Sequence, residues 1–152
     1  MNLYVTLGIP GSGKSTWART CSQQEQAFLA TTDPTRTDNV NTVHHLNNLT
    51  SRIGQELQAG RHVVVDACNL QTALRRRWLR LGHTHDATCI LVVMNTPHHT
   101  SITRNLTRPA TQQVPAERMQ RYIDNWDKAL ATIRKETWHE VITYQPTEGR
   151  TW

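Results

Sequence analysis

The stretch Gly8-Ile9-Pro10-Gly11-Ser12-Gly13-Lys14-Ser15-Thr16 decides how the rest of the chain is read. It fits GxxxxGK[ST] without departure, and each residue type in it has a physical reason. Gly8, Gly11 and Gly13 let successive backbone N–H groups turn inward around an anion. A helix that begins near Lys14 adds its N-terminal dipole at the same spot. The Lys14 ammonium reaches as far as the β- and γ-phosphates of a nucleoside triphosphate, and the Ser15 hydroxyl suits Mg²⁺. Pro10, Ser12 and Thr16 complete the expected ATP-binding loop. The flanks agree with this reading. Asn2–Leu7 is an apolar, strand-like run entering the loop, and Lys14–Gln23 has a helical pattern leaving it.

Further outward, apolar and polar stretches alternate as in an α/β protein. A weaker strand is expected at Ala27–Thr31, then a polar loop at Asp33–Asp38. Val43, Leu46, Leu49, Ile53 and Leu57 recur at helical spacing within Val40–Ala59, and Gly60 ends that helix. Arg61–Asp66 contains a continuous β-branched run, as a buried parallel strand requires. A helix at Thr72–Leu81 closed by Gly82, a strand at Ala87–Asn95 and a helix at Pro97–Leu106 follow. After a polar loop at Thr107–Val114 come a long helix at Pro115–Lys135, opened by its proline, and a strand at Val141–Tyr144. The pattern predicts one domain over residues 1–152. Its parallel sheet has about four to five strands, with helices on both faces and a glycine loop for phosphate.

Composition bounds the function classes. Of seventeen basic residues fourteen are Arg, and the formal charge is +5, which suits a polyanionic partner without identifying one. No apolar run approaches the ~20 residues of a membrane span. The chain runs from its first residues into a strand, so no signal peptide is expected. The three cysteines, Cys21, Cys68 and Cys89, show no CxxC pairing. Reduced thiols and a cytoplasmic protein are the expectation. The eight histidines include two adjacent pairs but no Cys/His spacing of the zinc kind, so they are expected at the surface.

Three further groups carry candidate chemistry. Asp66 ends a strand, which in a parallel sheet puts its carboxylate beside the glycine loop. There it can order Mg²⁺-bound water or the acceptor, or simply cap the next turn. Asp33 follows the second strand on the same side and can accept a proton, while Arg36 can grip an anion. Read alone, Asp33-Pro34 is equally an ordinary turn opener. Arg104 and Arg108 share one helical face and lead into a polar loop, as in a basic lid over residues 97–120 or in a solvated helix. Trp17 and Trp78 fall at apolar helical positions, and Trp126 suits either the core or a stacking surface.

Together these pieces resemble the phage-type polynucleotide 5′-hydroxyl kinases, across almost the whole chain. The carriers are GIPGSGKSTWAR at 8–19, Asp33-x-x-Arg36, Asp66-Ala-Cys-Asn69-Leu70 with Arg76-Arg77 after it, and Arg104-x-x-x-Arg108 followed by Val114-Pro115 and Met119. The resemblance implies transfer of the γ-phosphate of ATP or another NTP, with Mg²⁺, to the 5′-OH end of RNA or DNA. It makes Lys14, Asp33, Arg104 and Arg108 catalytic, with Asp33 as general base. It assigns the acceptor to Asp33, Arg36, Asp66, Asn69 and Arg76, and the metal to Ser15 and, through water, Asp66. The donor base is expected near the lid and Gln145–Thr147. Pro34 departs from the pattern, which often has a second acidic residue there. No DxDxT phosphatase motif is present. The glycine loop with its Asp is shared more loosely with zeta-toxin-like and gluconate-type kinases. A small-molecule kinase and a non-catalytic nucleotide-binding module therefore stand as rivals.

Overall fold

The computed structural model describes residues 1–32 and 39–146. Asp33, Pro34 and Arg36 lie outside them, as does Thr147. The described elements are β1 (Asn2–Leu7), α1 (Lys14–Gln24), β2 (Phe28–Thr31), α2 (Asn39–Gln58), β3 (Val63–Asp66), α3 (Thr72–Thr84), β4 (Thr88–Met94), α4 (His98–Thr107), α5 (Ala116–Ile133) and β5 (Glu140–Tyr144). A single 3₁₀ turn, Ala110–Gln112, lies between α4 and α5.

The five strands form one parallel sheet in the order β2-β3-β1-β4-β5. Central β1 pairs Leu3 with Val63 on one side and with Cys89 on the other. Its residues are therefore buried on both faces, which is why its apolar run is continuous. On one face Leu3, Val5, Val63, Val65 and Leu91 pack with Ile53 and Leu57 of α2, Trp78 of α3, and Met119, Trp126 and Ile133 of α5. On the other, Tyr4, Val64, Ile90 and Val92 pack with Ala18 and Cys21 of α1. The chain leaves β1 toward β2 and β3 on one side and reaches β4 and β5 on the other. A crevice opens at the carboxyl end of β1 where these directions diverge.

Expected and observed elements differ mainly at their ends. α3 does not stop at Gly82 but continues to Thr84, with Gly82 buried inside it. A Cβ there would run into the Cys89 Sγ, so this glycine lets the helix press on β4 rather than ending it. Gly60 behaves as expected, at φ +78° just past α2. Along α2, Ile53 and Leu57 are fully buried, whereas Val43 is exposed.

The largest buried polar group is Arg75, fully buried among the cores of α3 and α5. Its Nη2 pairs with Glu136 Oε1 at 2.8 Å and donates to Thr132 Oγ1 at 2.8 Å. Its Nη1 donates to the Asn69 and Leu70 carbonyls at 3.0 and 2.7 Å. A buried charge is tolerable only when its donors are met in this way.

Candidate active site

The glycine loop occupies the crevice. Gly11 and Gly13 have φ of +83° and +94°, the left-handed region where a side chain is strained. Gly11 has a second constraint, since a Cβ on it would collide with the backbone carbonyl of Ser101 on α4. The loop is braced from below. Thr6 Oγ1 donates to Ala67 O at 2.8 Å, and the Gly8 N–H donates to Cys68 O at 3.1 Å. These bonds lock the end of β1 to the end of β3, and so set Asp66 beside the loop.

A cavity of about 500 Å³ opens here, lined by Gly11, Gly13, Lys14, Ser15, Thr16, Asp66 and Arg108 among others. Lys14 is nearly buried, and its Nζ donates across the loop to Ile9 O at 2.8 Å. Asp66 is 4% exposed. The Ser12 Oγ is buried with no partner among the described residues. The backbone N–H groups of a glycine loop and the Lys14 ammonium are a donor set for phosphate oxygens. Ser15 and the Asp66 carboxylate on the same cavity are oxygen ligands of the kind Mg²⁺ takes, directly or through water. The residues present therefore fit a magnesium nucleoside triphosphate.

The lid segment is pinned to the loop. Arg104 Nη1 donates to Gly11 O at 3.3 Å, and Thr96 Oγ1 to Ser12 O at 2.8 Å. Buried Asn105 exchanges two bonds of 2.9 Å with the Val114 backbone, Nδ2–H to O and N–H to Oδ1. That folds residues 108–114 back over α4 and carries Arg108 to the cavity wall.

Two expected acceptor residues are not brought there. Asn69 is 2% exposed, and its amide is used inside the protein. Its Nδ2 donates to Thr6 O at 2.7 Å, while its Oδ1 accepts from Trp78 Nε1 at 2.9 Å. Asn69 thus shapes the turn after β3, at φ +51°, instead of facing a substrate. Arg76 is exposed on α3 and lines grooves away from the cavity. Asp33 and Arg36 lie outside the described residues, though Thr32, just before them, lines the cavity. Trp126 is buried in the core, edge-on to His98.

Sequence reasoning missed Arg19, Cys68 and Gln112, which also line the cavity. Arg19 was accessible by spacing, one helical turn after Ser15. Cys68 and Gln112 carried no local signal.

At the opposite end of the strands, His83, Cys89 and His139 bring their ligand atoms within 4.8 Å of one another. His139 Nδ1 accepts the Cys89 N–H at 2.9 Å, which leaves the proton of a neutral ring on Nε2 and no lone pair for a metal. Burial pushes the Cys89 thiol up to about 11, and burial followed by Glu25 does the same for Cys21. No described helix is long and apolar enough to cross a membrane.

A family model described as "AAA domain" matches residues 3–131. Solved structures share the fold at low identity. Kti12 from Chaetomium thermophilum, in complex with ADP-AlF3, has a TM-score of 0.67 and 15% identity, over 94% of this chain and 88% of that one. A sugar kinase from Janibacter sp. HTCC2649 gives 0.66 and 15%, over 95% and 85%. A gluconokinase from Sinorhizobium meliloti 1021 gives 0.63 and 14%, over 95% and 82%. No curated protein matches the chain.

Proposed function

The chain belongs to this AAA domain family, and from that premise we propose that it is an NTP-dependent phosphotransferase acting on the 5′-hydroxyl end of RNA or DNA. The observation that carries the phosphotransfer is the meeting of Lys14, Ser15, Asp66 and Arg108 on one cavity at the mouth of the glycine loop. Lys14 and the loop N–H groups hold the phosphates of ATP or another NTP, and Arg108 and Arg104 offset the charge that develops on the transferring group. Mg²⁺, held by Ser15 and through water by Asp66, would supply charge neutralisation between the phosphates. Asp33 takes the proton of the attacking hydroxyl, and Arg36 holds the phosphate next to it. The acceptor assignment is supported by the sequence pattern Asp33-x-x-Arg36 after β2 and by the Arg-rich surface.

A second reading has its own support. The fold is shared with a sugar kinase and a gluconokinase, and fold does not choose an acceptor. A small polyol would then replace the nucleic acid end. One experiment separates the two: transfer of label from γ-³²P-ATP to a 5′-OH oligonucleotide, with the 5′-phosphorylated oligonucleotide and gluconate as parallel acceptors. Label on the 5′-OH strand alone is expected. Label on gluconate alone would replace the first reading with the second, and nucleotide binding without transfer to either would favour a nucleotide-binding module.

A further inference from the structure

α3 lies at the centre of its sheet face, between α2 and the end of α5, and its outward side is basic. Arg76 and Arg80, one turn apart, stand about 6 Å from each other along the helix axis. They form a ridge shared by two shallow grooves. The groove toward α5 adds His83, Lys135 and the hydroxyl-bearing Thr132 and Thr137. The groove toward α2 adds Arg77, whose Nη1 is held at 3.1 Å by both Asn47 Oδ1 and Thr50 Oγ1.

Among the described residues the charge on this face is uncompensated: Glu136 is the one carboxylate lining either groove, and buried Arg75 already holds it. None of the three ion pairs among the described residues uses Arg76, Arg80 or Lys135. The two leucines that line the grooves, Leu79 and Leu81, are buried or half-buried, so no large apolar side chain projects for a membrane to accept. Guanidinium forks interleaved with hydroxyls match phosphodiester oxygens, which take bidentate and single hydrogen bonds without regard to base. The ridge begins one turn into a helix whose preceding loop contributes Ala67 and Cys68 to the lining of the phosphate cavity.

We propose that the outer face of α3 is a nucleic-acid backbone platform, in which Arg76, Arg80 and Lys135 hold the strand outside the phosphate cavity. This deepens the acceptor reading above and rests on it for its purpose: the platform retains the body of the strand whose end is processed. It also accounts for Arg76 being on the molecule's surface and not in the cavity.

Binding of a 3′-fluorescein 20-mer that already carries a 5′-phosphate tests it by anisotropy, because such a strand binds without being an acceptor. Saturating ATP analogue and Mg²⁺ should leave the affinity within about twofold. Arg76→Glu/Arg80→Glu should weaken binding by about tenfold or more, and make the slope of log K against log salt shallower by about two. Arg121→Glu/Lys128→Glu, an equal charge change on exposed positions of α5, should have a far smaller effect. No binding, displacement by the nucleotide, or equal loss in both double variants would each overturn the platform. Poly-glutamate competing better than the oligonucleotide would also overturn it, in favour of an acidic protein partner. Transfer activity is scored separately: binding with no transfer would sink the kinase reading alone, and transfer with no binding would sink the platform alone.

Discussion

Lys14 donates across the loop, with its Nζ 2.8 Å from Ile9 O. A phosphate that recruits it replaces a neutral acceptor with a charged one, so the ammonium exchanges a weaker hydrogen bond for a stronger one. Lys14→Ala should bring transfer down to background in a protein that still melts cooperatively. Turnover at the wild-type rate would sink the phosphate-loop assignment. Asp33 and Arg36 have different proposed jobs, and substitution should separate them. Asp33→Asn keeps the shape but cannot act as a base, so turnover should fall by about a hundredfold or more with ATP affinity little changed. Arg36→Ala removes a charge-assisted contact, typically ~2–3 kcal/mol, and should raise the acceptor KM. That rise should appear for oligonucleotides and nucleoside 3′-monophosphates and be small for an acceptor without that phosphate. An equal loss on both kinds of acceptor would assign Arg36 to the donor instead.

At the scale of elements, α4 and the glycine loop behave as one unit. The Ser101 backbone presses on Gly11, and Arg104 donates to Gly11 O. Gly11→Ala therefore meets two obstacles, positive φ and a backbone wall, and neither yields to a rotamer change. It should cost more nucleotide affinity, read by calorimetry, than Ala at Gly60, which has positive φ but open space. Similar effects at the two glycines would show that α4 yields freely. Arg104→Ala and Arg108→Ala should each lower turnover by roughly ten- to a thousandfold if they meet transition-state charge. If both are silent, the segment is a solvated helix. Much of this unit was legible in the sequence, because the loop is a local pattern and Arg104 and Arg108 mark a basic segment beside it, although α4 ends at Thr107 and Arg108 follows in extended backbone and not on the helical face that the spacing predicts. What joins the parts was not. Asn105 binding Val114, Asn69 binding Trp78, and Gly82 seated on Cys89 each reach seven to nine residues, from one element or turn into the next, and helix or strand periodicity does not encode such contacts. Asn69 looked like a substrate contact because a buried structural amide and a substrate-facing one look alike in a motif.

Across the whole molecule, two features of the core contribute to its stability in ways that can be tested. Cys21 and Cys89 have thiols raised to about 11 from an ordinary value of 9.0. Between those values the unfolded chain has released thiol protons that the folded chain keeps. Stability is therefore full below about pH 9 and falls as pH rises toward 11. Melting temperature should decline over that window, and Cys89→Ala should flatten the decline. The other feature is Arg75, which ties the turn after β3 to the end of α5 through Asn69 O, Leu70 O, Thr132 and Glu136. Because Asp66 and Cys68 lie just before that turn on the cavity wall, the network reaches the site through the backbone. Arg75→Ala leaves the Glu136 carboxylate, 7% exposed, without its counter-charge and with the Trp138 Nε1–H at 2.8 Å as its remaining donor, and should cost about 3–5 kcal/mol by denaturant unfolding. Arg75→Met with Glu136→Leu removes both charges and refills the space, so it should recover much of that loss. The same pair would still lack donors for the Asn69 and Leu70 carbonyls. Its turnover should therefore stay below wild type even where its stability is restored. A double variant no more stable than Arg75→Ala would mean that the carbonyl bonds, and not the ion pair, hold this region. Full turnover in the double variant would show that the turn after β3 needs no such brace.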